Sequence, residues 1–132
     1  MKYMMLAYTG IADWESMDVT SPEFLAACEF YENLTKELTD TGELVLTEGL
    51  ADPSLTRTVR KQDGATVAVD GPYAESKEVL ASFAIVDCAS HDRVMSIAAR
   101  IVDALGEPVE VRPIGAGPSE EDAATPTGGT AQ

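Results

Sequence analysis

Histidine occurs once and cysteine only twice in this chain of 132 residues, and that scarcity removes whole classes of chemistry. His91, Cys28 and Cys88 supply no ligand cluster at metal spacing, so no metal site is expected. Two thiols are also too few for a disulfide framework at this length. Each lies among apolar neighbours without an adjacent cation, the setting of a buried, reduced thiol rather than a nucleophile. Bases are short as well: nine Lys and Arg stand against 23 Asp and Glu, for a net charge of −14. Nucleic-acid backbones and anionic membranes both require clustered bases, so neither is an expected partner. No apolar run approaches the roughly 18 residues that span a bilayer. The opening MKYMMLAYTG is too short in its apolar part for a signal peptide and lacks a small-residue cleavage site. The expected location is cytoplasmic, and nothing in the chain specifies a cofactor.

What is present suits one soluble domain. The apolar fraction is 45%, and a chain of this size buries about two-thirds of its unfolded surface without covalent staples. KYMMLAY, residues 2–8, reads as a short buried strand, and TGIADWESMDV as a loop anchored by Trp14. TSPEF then starts a helix: Thr20 or Ser21 caps it, Pro22 suits the first turn, and Glu23 completes a capping box with Thr20. Phe24, Cys28, Tyr31, Leu34 and Leu38 follow on one face, and Gly42 closes the helix. ELVLTEGL, 43–50, reads as a strand. TRTVRKQ and ATVAVD alternate about Asp63-Gly64, a hairpin signal. VLASFAIVD is apolar enough for a central strand. Ser90 caps a second helix with Val94, Ile97, Ala98, Ile101 and Leu105 on one face, terminated by Gly106 and Pro108. PVEVRPI, 108–114, is the closing strand.

The order β-α-β-β-β-β-α-β gives two β-α-β halves around an inserted hairpin. That pattern predicts a ferredoxin-like α+β domain over 1–115, with two helices on one face of an antiparallel sheet. The other face is also apolar and needs cover, for which a second copy is the simplest source, so a homodimer is expected. Residues 116–132 contain no aromatic, Leu, Ile or Val and are expected to form a disordered acidic tail.

KYMMLAY, the helix ending in TG before ELVLTEGL, the TVR run, VDGPYAESKE and VEVRPI occur in a fixed order. Together they resemble the YCII-related proteins, and within them the DGPF subgroup, whose motif stands here as DGPY at 70–73. The resemblance implies a dimeric ferredoxin-like α/β barrel and a pocket between sheet and helices. It brings no established general activity. Members are often encoded beside extracytoplasmic-function sigma factors, which points to a regulatory setting. A His–Asp pair is the proposed active site of the wider family, with its histidine on the first helix. Tyr31 stands at that place here, so the dyad does not carry over.

The candidate site residues cluster around VDGPYAESKE. Gly71 and Pro72 have a backbone explanation, a permissive turn followed by a fixed φ. Asp70 is able to cap that turn with its carboxylate. The functional reading makes Asp70 and Lys77 the leading acid–base pair, with Glu75 and Tyr73 as ligand-binding support. A small polar metabolite is the expected ligand class, because neighbouring charges and burial tune acid–base groups. Glu48 and Arg57 are a further candidate ion pair, while Arg57 and Arg60 face opposite sides of one strand. Tyr31 is a candidate ligand-binding residue. Tyr8 and Met5 are read as core residues that share a cavity with Tyr31 only in the functional alternative, and His91 as a surface residue at a helix start. The competing reading of the charged loop is a non-catalytic regulatory or interaction protein.

Overall fold

The computed structural model describes residues 1–72 and 77–115. Tyr73 and Glu75, and the tail expected at 116–132, lie outside the described residues. The chain runs β1 (Lys2–Gly10), α1 (Ile11–Glu15), α2 (Pro22–Asp40), β2 (Leu44–Gly49), a 3-10 turn (Pro53–Leu55), β3 (Arg57–Gln62), β4 (Ala65–Asp70), β5 (Glu78–Asp87), α3 (His91–Leu105) and β6 (Val109–Pro113). Four strands form one sheet in the order β2-β5-β1-β6, with every pair antiparallel. The fold is therefore α+β, and this order with its two long helices is consistent with a ferredoxin-like arrangement. β3 and β4 form a separate two-stranded sheet. No helix among the described residues is long and apolar enough to cross a membrane.

Local chemistry sets the helix ends. Ser21, not Thr20, caps α2: its Oγ accepts from the Phe24 amide at 3.1 Å, with Pro22 in the first turn. Thr20 is engaged elsewhere, donating its hydroxyl to Asp18 at 2.6 Å. This replaces the expected Thr20–Glu23 capping box. Ser90 Oγ accepts from the Arg93 amide at 3.1 Å to start α3, and Gly106 ends it at φ 75. A left-handed residue there costs a side-chain-bearing amino acid about 1–2 kcal/mol, which selects glycine. Residues 11–15, expected as loop, form the short helix α1 with Trp14 half-buried.

The core lies between the helices and one face of the sheet. Tyr3, Met5 and Val86 from the sheet meet Leu34 and Leu38 of α2 and Val94, Ile97, Ala98 and Ile101 of α3. Strand alternation then sends Met4 and Leu6 to the opposite face. Register sets Ile85 beside Met4, Phe83 beside Leu6, and Leu46 beside Ile85. That face thus carries a contiguous apolar patch, with Leu46 42% exposed. Bulges at Ala7/Tyr8 and Leu44/Leu46 shift the register at opposite ends of the sheet, and the cavities described next open at the Ala7/Tyr8 end.

Candidate functional site

The Asp-Gly-Pro junction ends the hairpin, and its Pro72 borders a cavity described below. Arg57 and Asp70 face each other in the β3–β4 register, and Arg57 Nε donates to Asp70 Oδ1 at 2.9 Å. Their side chains are 64% and 88% exposed. Such a pair contributes well under about 1 kcal/mol to stability. Arg57 therefore pairs with Asp70 across the hairpin, not with Glu48, and the pair is exposed rather than buried. Gly71, at φ 101, donates its amide to the Thr56 carbonyl at 2.8 Å, and the Thr58 hydroxyl donates to the Gly71 carbonyl at 2.7 Å. Lys77 is exposed, and its carbonyl accepts from the Ile11 amide at 2.7 Å, which ties the start of β5 to α1.

Two other sequence candidates border one cleft. A cleft of about 780 Å³ lies between α2 and the β2–β5 edge of the sheet, and Tyr31 and Glu48 both line it. Positions 28, 31, 32, 35 and 36 share one side of α2 through the helical repeat, and all five border the cleft. Thr47 and Ser82 complete its strand side. Tyr31 is half-buried, and burial raises its phenol above the usual tyrosine value, partly offset by a hydrogen bond with Ser82. The raised value keeps the phenol a hydrogen-bond donor at the cleft wall. Glu48 stands in register with Phe83, so strand alternation turns its side chain to the face opposite Thr47 and Ser82. Lys36 is at the exposed rim, 3.6 Å from Asp40. Cys28 is exposed here, which corrects the expectation of a buried thiol.

A second cavity of about 740 Å³ opens at the same end of the sheet, between β1, β5, β6 and the segment leading into the hairpin. Tyr8 lines it, and Tyr31 lines the cleft, while Met5 is buried in the core, so these three do not share a cavity. The Tyr8 hydroxyl donates to Glu110 Oε1 at 3.0 Å. Burial first, then Glu110, raises the Tyr8 phenol above its ordinary value.

A charged cluster absent from the sequence reading joins the helices to β2. Arg93 of α3 donates through Nε and Nη2 to both oxygens of Glu43, at 2.9 and 2.8 Å. Arg100 does the same to Glu37 of α2, at 2.7 and 3.0 Å. The Arg93 hydrogen bonds hold Glu43 down to about 2, despite opposing burial. Cys88, 1% exposed, lies against this cluster, and burial followed by the Glu43 charge pushes its thiol up to about 11. Bidentate geometry of this kind fixes orientation, and its position between packed elements makes it a clamp for the fold. The half-buried His91 ring sits 6.0 Å from that of Tyr3, a tilted packing contact. Among the described residues no group of three His, Cys, Asp or Glu side chains could hold a metal ion.

The family model for the YCII-related domain matches residues 1–115. The chain belongs to that family. It is also 33% identical over 81 residues to an uncharacterized protein of Rhizobium meliloti (strain 1021). That alignment covers 60% of this chain and spans 65% of the relative's length.

Proposed function

We propose that this YCII-related protein works as a homodimer that binds a small polar metabolite in the cleft between α2 and the β2–β5 edge. The convergence of Tyr31 and Glu48 on that one cleft carries the reading. The cleft presents the Tyr31 phenol and the Ser82 hydroxyl, with Glu48 and the Lys36 ammonium at its border. A ligand with a carboxylate and a hydrogen-bond acceptor finds complementary groups there, and Glu48 at the border is the candidate proton acceptor for any acid–base chemistry. Asp70 and Lys77 serve the junction that holds the hairpin to the domain, and DGPY at 70–73 supports placement in the DGPF subgroup. The apolar face bearing Met4, Leu6, Phe83 and Ile85 supports the dimer, since contiguous exposed apolar surface marks an interaction site.

Ligand-dependent thermal shift with a metabolite library tests this, followed by Tyr31→Phe and Glu48→Gln. Both variants should keep the melting temperature of the free protein and lose the ligand-induced rise. A rise that survives in both would place the ligand elsewhere, and no stabilisation by any metabolite would count against the cleft. A regulatory or interaction role is the second reading, favoured by the Arg57–Asp70 hairpin standing apart from the main sheet. Loss of dimerisation in Arg57→Ala and Asp70→Asn, with ligand binding intact, would support it.

A further inference from the structure

We infer that the cavity between β1, β5 and β6 is a second binding site, selective for a compound with an apolar body and a cationic amine. It is independent of the cleft reading, because the two cavities share no lining residue among the described residues. Most of its wall is apolar, from Leu50, Val79, Leu80 and Val109 together with the rings of Pro53, Pro72 and Pro108. Its charged lining among the described residues is all of one sign, Glu78 and Glu110, with no Lys or Arg. Glu110 already accepts the Tyr8 hydroxyl on one oxygen, Oε1, at 3.0 Å. A carboxylate accepts several hydrogen bonds, so this contact orients Glu110 and leaves capacity for an ammonium donor. Placed on an apolar wall, that charge pair is worth more than it would be in open water.

The surroundings agree with the sign. Burial, then Asp13 and Glu78, raise the Glu107 carboxyl above its usual range, so the negative field extends beyond the cavity wall. Arg112, two residues along β6 from Glu110, opposes it weakly at Tyr8, where its effect is the smallest of those acting. Among the described residues that line this cavity, an anionic compound would meet the Glu78 and Glu110 carboxylates and no Lys or Arg. The volume, about 740 Å³, suits a compound of some ten to twenty heavy atoms, since ligand pockets run from about 300 to 1,000 Å³.

Three probes that share a phenethyl body and differ in head-group charge are phenethylamine, phenethyl alcohol and hydrocinnamate, titrated near neutral pH into the full chain and followed by amide NMR. Phenethylamine should give saturable shifts centred on Tyr8, Leu80 and Val109, the alcohol weaker ones, and hydrocinnamate none. The double variant Glu78→Gln/Glu110→Gln should weaken phenethylamine about tenfold, as expected for loss of charge-assisted hydrogen bonds. Leu80→Trp, which fills the cavity and keeps both carboxylates, should abolish binding and guards against a folding defect in the double variant. Equal binding of all three probes would overturn the inference. So would shifts centred on Tyr31 and Ser82, unchanged binding by both variants, or no saturable binding of phenethylamine.

Discussion

Glu43 joins two properties, a side chain only 16% exposed and a guanidinium on both oxygens. Its carboxyl titrates at about 2 when folded, against 4.5 when unperturbed. A folded-state value below the unfolded one adds stability that is complete above the unfolded value and lost as pH falls toward the folded one. Arg93 is a third exposed, so solvent screening trims the gain. Glu43→Gln should cost about 1–2 kcal/mol near pH 7, and the gap from wild type should close as pH falls from about 4.5 to about 2. Urea denaturation across that range measures it, and a gap that stays constant would remove Glu43 as its source. The two thiols should also separate. Native protein should show one fast-reacting thiol with a disulfide reagent, Cys28, and a second only on unfolding, because Cys88 is buried with its thiol raised to about 11. Two fast thiols in the native state would contradict that assignment. At this scale the sequence was unevenly legible. Tyr31 was marked by the family resemblance and Glu48 by a charge on a strand whose facing periodicity left unsettled, yet that both border one cleft depends on how α2 lies against β2. Arg93 and Glu43 are 50 positions apart, and only the packing of α3 brings them together.

Elements carried stronger local signals. Ser90 with its apolar repeat, and Asp63-Gly64 between β-branched runs, each have a short-range physical cause, and both elements formed within a residue or two of the expected bounds. The turn places Asp63 at φ 52 and Gly64 at φ 81, the pair of positive values that a two-residue type I′ hairpin requires. The missed helix α1 is only five residues long, without a side-chain cap, so no local signal announced it. The choice between Thr20 and Ser21 was settled by competition, since Asp18 takes the Thr20 hydroxyl. A Cβ at Gly64 would meet nothing within 4 Å. Gly64→Ala should therefore act through backbone conformation alone, costing the hairpin about 1 kcal/mol. Because among the described residues β3 and β4 pair only with each other, that cost should stay local. Hydrogen exchange should quicken several-fold across residues 57–70 while the amides of α3 keep their protection. Faster exchange in α3 as well would show that the hairpin is coupled to the core.

At the scale of the molecule, the alternation of strands and helices was enough to anticipate an α+β fold with its helices on one side of an antiparallel sheet. What it left open was how the apolar face beyond the helices is satisfied, because a sequence records apolar positions but not the partner that covers them. Register now locates that surface around Leu6, which lies between Phe83 on β5 and Glu110 on β6. Two forces meet there in the proposed dimer. Apolar burial, about 25 cal/mol per Å², favours association, whereas a net charge of −14 on each copy opposes it. The second force is screened by salt and the first is not, since the Debye length falls from about 30 Å at 0.01 M to about 8 Å at 0.15 M. The dimer should accordingly tighten as salt rises over that range, opposite to an assembly held by ion pairs. Leu6→Arg puts a charge at the centre of the face, within reach of Glu110 in the monomer, so the subunit should remain folded. Sedimentation equilibrium should find the wild type dimeric and Leu6→Arg monomeric, with unchanged circular dichroism. A wild type that stays monomeric at high concentration, or a Leu6→Arg dimer of equal affinity, would remove this face from the assembly.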